Sequence, residues 1–187
     1  MRLFRVLLSG MLLTIATIGL AQGHRDPLTP AEVSQIRDTS WEPRLRLPLY
    51  VEFARNRLVK LEGMRTDPKT KDRARQTHDL LDDFQLLYDE LNDNIDTYVD
   101  RRDDIRKPLK VIIDADTEFQ AKLRALKDAA DVPRQEAQQY EFVLTNAIET
   151  LDTSTEDHRK LLADQEEQSK KKLLNKNPSK GTGVSPE

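Results

Sequence analysis

The histidines are the residues of this chain whose type and spacing best suit metal chemistry. His78 is followed four residues later by Asp82, which places both side chains on one face of a helix. His158 falls on an apolar helical stripe. If the helices carrying His78 and His158 faced each other, the two imidazoles would suit Zn, Cu or Ni. We therefore name His78, Asp82 and His158 as candidate metal ligands. The simpler interpretations are a surface ion pair for His78 and a core histidine for His158.

The residues that other catalytic mechanisms require are missing from the sequence or wrongly spaced in it. The chain has no cysteine, which excludes disulfides, thiolate metal sites and a cysteine nucleophile. Carboxylate-bridged di-iron bundles need Glu three residues before His, but Arg75 and Thr155 occupy those positions. Ser154 and His158 lie four residues apart, yet no glycine-rich turn is available to build an oxyanion hole. We expect no enzyme activity and no cofactor.

An acidic face is the clearest surface feature. Ten acidic residues lie between residues 79 and 104, and nine of them are Asp. Asp is a weaker helix former than Glu, so this choice hints at selection for more than helicity. We expect partner docking on this face, and the alternative is an ordinary solvated outer face. The candidate partner-binding residues are Asp82, Asp89, Asp93, Asp96 and Asp100.

The elements that must position these residues are helices. Between Pro30 and Asn175 there is a single glycine, Gly63, and apolar residues recur at spacings of three and four. The clearest stripe is Ala74, Thr77, Leu81, Phe84, Tyr88, Leu91, Ile95 and Tyr98. This pattern predicts an all-α fold, an elongated antiparallel bundle of long heptad-patterned helices.

The chain direction around Pro108 is ambiguous, because a proline normally breaks or kinks a helix while the apolar phase here continues past it. One alternative is a turn near residues 101–108, which gives a compact up-down bundle. The other is a kinked continuous helix over residues 68–130.

Helix ends can be read from caps and breakers. Thr29-Pro30-Ala31-Glu32 predicts a capping box that starts a short first helix. We expect the second helix to start near Pro48 and to end at Gly63 and Asp67-Pro68, with Asp67 capping the third. The final helix is expected to begin at residues 131–133.

Residues 1–21 are typical of a secretory signal peptide. Arg2 and Arg5 precede a mostly apolar run that ends in small residues at Ala21, and the run is too short to span a bilayer. We expect an exported protein, periplasmic or secreted, with no transmembrane segment after cleavage. The predicted organisation continues with a polar leader over 22–47, a bundle domain over 48–172 and a disordered basic tail over 173–187.

Charge narrows the class of partner. The formal net charge of -3 argues against nucleic-acid binding driven by positive charge. The lysine-rich end of the chain is expected to make at most weak contact with envelope polyanions, through Lys170, Lys171, Lys172, Lys176 and Lys180.

The start of the first helix also carries a short resemblance. Leu28-Thr29-Pro30-Ala31-Glu32 resembles the LTxxQ motif of periplasmic stress chaperones of the Spy and CpxP type, with Glu32 in place of the Gln. The resemblance is confined to these residues, and we assign the chain to no family on it. Together the patterns predict an exported, non-enzymatic bundle acting through protein–protein contacts with a partner or a second copy, as a scaffold, adaptor or chaperone-like factor. The alternative is a small metal- or cofactor-binding bundle using His78 and His158.

Overall fold

The computed structural model describes residues 26–130 and 132–176. The predicted all-α fold is confirmed, because these residues form helices joined by turns and contain no strand. No helix among them is apolar over the length needed to cross a membrane. The helices are α1 (Pro30–Asp38), α2 (Pro43–Thr66), α3 (Arg73–Asp100), α4 (Arg106–Lys127), α5 (Arg134–Ala137) and α6 (Glu141–Lys176).

The four long helices form a bundle. α2 packs against α3 and α4, and α6 packs against the same two helices, so α3 and α4 lie across one diagonal. Side-chain contacts show that α2 runs antiparallel to α3, and α4 antiparallel to α6. The predicted α3 stripe is buried along its whole length. The largest fully buried side chains include Tyr88, Tyr98, Phe84, Phe119, Leu47 and Leu58.

The start of α1 is confirmed as a capping box. The Glu32 amide donates to Thr29 Oγ1 at 3.3 Å, and the Thr29 amide donates to Glu32 Oε2 at 2.8 Å. Arg57 of α2 donates to both carboxylate oxygens of Glu32, from Nη1 to Oε1 at 2.8 Å and from Nη2 to Oε2 at 2.7 Å. Burial alone would raise the pKa of Glu32, but the hydrogen bonds from Arg57 and Thr29 outweigh it, so this pKa is lowered. One ion pair therefore fastens α1 to the bundle.

The chain reverses between α3 and α4, so the kinked continuous helix over residues 68–130 is wrong. The Tyr88 and Asp116 side chains meet at 2.7 Å, and the rings of Phe84 and Phe119 lie 5.4 Å apart. The residue number on α4 falls from 119 to 116 as that on α3 rises from 84 to 88, so α3 and α4 run in opposite directions. The alternative with a turn near residues 101–108 is the one that the structure shows.

A left-handed arginine makes this reversal. Arg102 has φ 61°, and its amide donates to Val99 O at 2.9 Å, while the Asp103 amide donates to Tyr98 O at the same distance. These two bonds form a Schellman motif, in which the left-handed residue is usually glycine. Pro108 lies in the first turn of α4, where a missing amide proton costs nothing.

The predicted start of α2 is wrong, and its predicted end is right at Asp67-Pro68 but not at Gly63. The helix starts at Pro43 rather than Pro48, because Glu42 caps it and Pro43 suits the first helical position. It continues through Gly63 to Thr66, since a glycine in an exposed helix costs only about 1 kcal/mol. The helix does end before Asp67-Pro68, as predicted, with Asp67 in the extended conformation that a following proline favours.

The starts of the later helices also differ. Asp67 does not cap α3, which begins at Arg73 after a turn. The last helical segment is divided into the short α5 and the long α6. The predicted boundary between leader and bundle at residues 47 and 48 falls inside α2, and α6 extends past the predicted start of the tail at residue 173. The predicted signal peptide at 1–21 and residues 177–187 of the predicted tail lie outside the described residues.

Candidate functional site

A buried polar network crosses the centre of the bundle. Asp116 on α4 is 0% exposed, and its carboxylate accepts from the Tyr88 hydroxyl at 2.7 Å and from His158 Nδ1 at 2.9 Å. Burial and the charge of Asp116 raise the pKa of Tyr88 above its usual range, so its proton stays in place. The three side chains come from α3, α4 and α6, and they fix how these helices meet.

The second nitrogen of the His158 ring extends the network toward the surface. His158 Nε2 lies 3.1 Å from Asn92 Oδ1, and the Asn92 amide nitrogen donates to Ser154 Oγ at 3.0 Å. Both ring nitrogens therefore have an oxygen partner, which holds the ring in one orientation. His158 itself is 4% exposed, in agreement with the interpretation of a core histidine.

The network includes the residue types of a hydrolytic triad but not its geometry. In a triad the histidine contacts the nucleophile hydroxyl directly. Here Asn92 stands between His158 and Ser154, and Asp116 is completely shielded from solvent. This arrangement stabilises the packing of three helices.

The structure does not bring the two predicted metal-binding histidines together. The residue closest to His78 Nδ1 among the acids is Asp79, whose Oδ1 lies 3.6 Å away, rather than the predicted Asp82. His78 and Asp82 face the start of α6, next to Phe142. His158 lies about 24 Å further along that helix, at 1.5 Å per residue. Among the residues that the structure describes, no group of three metal-ligating side chains converges.

The acidic face is exposed as predicted along α3. Asp89, Asp93, Asp96 and Asp100 are exposed, whereas Asp82 is half-buried. Although the side chain of Asp89 reaches solvent, neighbouring protein atoms desolvate its carboxyl group in part, and this effect, followed by the nearby Asp93 and Glu90 carboxylates, raises the pKa of Asp89. The exposed row leads along the helix to the turn at residues 101–105.

An exposed tryptophan beside that turn is the feature that sequence reasoning missed. Trp41, the single Trp of the chain, lies between α1 and α2 and is 54% exposed. Its φ is 63°, and Ser40 before it has φ 49°. A left-handed backbone is an outlier for a bulky residue and costs about 1–3 kcal/mol. The one sequence feature that pointed to this exposed residue is a lone Trp within a charged segment.

The Arg46 guanidinium stacks on the face of the Trp41 indole. Its guanidinium carbon lies 4.2 Å from the Trp41 ring centroid, within range of a cation–π contact. The same side chain donates from Nε to Asn94 Oδ1 of α3 at 2.8 Å, which anchors it to the bundle. Leu45, 58% exposed, lies in the first turn of α2.

Across from the indole lies the turn between α3 and α4. Trp41, Leu45, Arg101 and Asp104 line a groove of about 650 Å³. We call this surface, comprising Trp41, Leu45 and residues 101–104, the Trp41 end. It presents a preorganised aromatic side chain, an aliphatic neighbour and charges of both signs.

No protein-family model, curated protein or solved structure matches this sequence, so its function must be argued from these surfaces.

Proposed function

We propose that this protein is exported, has no enzymatic activity and acts by binding another protein through the Trp41 end. The observation that carries the proposal is an exposed Trp41 whose backbone has a costly left-handed conformation and whose indole stacks on the Arg46 guanidinium. Trp and Arg are the residues most enriched among the hot spots of protein interfaces. A fixed indole also loses little conformational entropy on binding. Export rests on the signal-peptide pattern of residues 1–21.

The acidic row suggests the chemistry of the partner. Asp93, Asp96 and Asp100 are exposed on the half of α3 that leads to the Trp41 end. We expect a partner with an apolar pocket for the indole and basic residues beside that pocket. Charges of this kind at an interface rim act mainly on association rate and salt dependence.

Site-specific cross-linking tests the proposal. A photoreactive amino acid is placed at Leu45 in one variant and at Val59 in another. Both positions are apolar, on α2 and similarly exposed, at 58% and 52%, but Val59 lies about 21 Å along the helix. In cells producing the exported protein, we expect a discrete cross-linked partner from position 45 and none from position 59.

Trp41→Ala supplies the matched loss-of-function variant. Combined with the position 45 probe, it should remove the cross-link while leaving helix content unchanged, because the indole is largely outside the core. Equal cross-linking from positions 45 and 59, or a cross-link that survives Trp41→Ala, would contradict the proposal.

A further inference from the structure

A cavity at the opposite end of the bundle has an apolar floor. It measures about 310 Å³ and lies between the last turns of α2 and α4, the start of α3, and Ala129, Val132 and Pro133 before α5. Its floor consists of Leu58, Leu61, Leu123 and Leu126. Along α2 it is about 36 Å from Trp41, and the two surfaces are separate.

The rim of the cavity carries three cationic side chains and two carboxylates. Arg65 Nη1 pairs with Glu136 Oε1 at 3.2 Å, and Lys122 Nζ pairs with Glu62 Oε1 at 2.6 Å. These two pairs use both carboxylates. The third cation, Arg73, has no such partner, so the described rim residues carry one positive charge in excess.

Arg73 is half-buried and makes no ion pair with any residue of the described chain. Its Nε atom is buried and has no hydrogen-bond acceptor. A buried donor without a partner is costly, and a guanidinium offers parallel donors that match the two oxygens of a carboxylate. No described residue supplies an acceptor to this Nε atom, and the Arg73 side chain lines the cavity.

We propose that this cavity binds a small amphipathic monocarboxylate, with its head on Arg73 and its unbranched apolar tail on the leucine floor. A single negative charge suits the site better than a phosphate dianion, because Glu62 and Glu136 already line the rim. At roughly 30 Å³ per non-hydrogen group, the volume that one water takes in the liquid, the cavity holds about ten such groups. This size corresponds to an eight-carbon fatty acid. The inference is independent of the partner bound at the Trp41 end.

Titration calorimetry with sodium octanoate tests the site, with octan-1-ol and sodium acetate as controls. Octan-1-ol keeps the tail and loses the charge, whereas acetate keeps the charge and loses the tail. We expect one saturable site for octanoate, binding at least about tenfold weaker for octan-1-ol, and no measurable binding of acetate.

Two arginine variants separate a specific site from general attraction. Arg73→Gln should weaken octanoate binding by about tenfold or more, to the level of octan-1-ol, whereas Arg75→Gln, two residues along on the exposed side of α3, should leave it unchanged. Ala129→Phe should abolish binding by filling the cavity. Thermal unfolding of each variant checks that it folds.

No saturable octanoate binding by the unmodified protein would overturn the proposal. Equal weakening by Arg73→Gln and Arg75→Gln would also overturn it, since general charge attraction would then explain the binding.

Discussion

Removing the Asp116 carboxylate should destabilise the bundle more than any surface substitution on α4. In Asp116→Ala the Tyr88 hydroxyl and the His158 ring both lose their buried acceptor. Each unsatisfied buried donor costs about 1–3 kcal/mol, so the two donors together cost about 2–6 kcal/mol. We expect a loss of about 3–5 kcal/mol in the free energy of unfolding, a large part of the 5–15 kcal/mol typical of a folded domain.

The assay is urea unfolding followed by circular dichroism at 222 nm. Asp114→Ala is the matched control, because it removes an exposed Asp two residues earlier on the same helix and should change stability by at most about 0.5 kcal/mol. Asp116→Asn keeps the shape but turns one acceptor into a donor, so it should also destabilise. If Asp116→Ala cost no more than Asp114→Ala, the network would contribute nothing and our reasoning about it would be refuted.

A double-mutant cycle then tests whether the hydrogen bond itself is responsible. Tyr88→Phe removes the hydroxyl alone, and residues in one hydrogen-bond network usually show coupling energies of about 0.5–3 kcal/mol. We expect the combined Tyr88→Phe and Asp116→Ala variant to lose less than the two single losses added together. Strict additivity would place the cost of Asp116→Ala elsewhere.

Three further predictions concern other parts of the bundle. The stability given by the Glu32–Arg57 pair should be present above pH 4.5 and disappear as the pH falls through the lowered pKa of Glu32. The gap between the urea midpoints of the wild type and Arg57→Gln should therefore narrow below that lowered pKa, and a constant gap would contradict the pair's role. Arg102→Gly should raise the free energy of unfolding by about 0.5–1 kcal/mol, because glycine relieves the strain of the left-handed backbone. Arg101→Gly is the control: Arg101 has φ −73°, so this change should lower stability in the same urea assay. Equal shifts in the two variants would exclude strain at Arg102. The fluorescence of Trp41 should be quenched efficiently by acrylamide in the free protein, and a quenching constant typical of a buried indole would contradict its exposure.

The fold class and the buried faces could be predicted because they are local properties. Spacings of three and four place Leu81, Phe84 and Leu91 on one side of α3, and the structure buries all three. The capping box at Thr29 was equally readable, since both of its hydrogen bonds span three residues.

The direction of the chain after α3 could not be predicted, because it depends on one residue in an unfavoured conformation. A Schellman turn can normally be predicted from a glycine at its left-handed position, but here Arg102 occupies that position. Packing of α4 against α2 and α6 compensates for that cost. Such compensation is a tertiary effect and leaves no trace in local sequence.

The buried network was missed for a related reason. Sequence reasoning pairs residues that are three or four apart, which is why it linked His78 with Asp82 and Ser154 with His158. The structure instead links His158 to Asp116, 42 positions earlier in the chain. Pairs at that separation become visible only once the helices are placed.

The central claim of the account is that α3 and α4 run antiparallel. This arrangement forms the Trp41 end, the cavity proposed to bind a carboxylate, and the buried polar network. A distance between spin labels tests this directly. The chain has no cysteine, so Arg75→Cys and Lys127→Cys provide the only two labelling sites, both exposed. With neighbouring helix axes about 8–10 Å apart, the diagonal pair α3 and α4 should lie about 11–14 Å apart, and we predict a label separation below about 30 Å in double electron–electron resonance. A separation near 80 Å, the span of a continuous helix over those residues, would contradict the account.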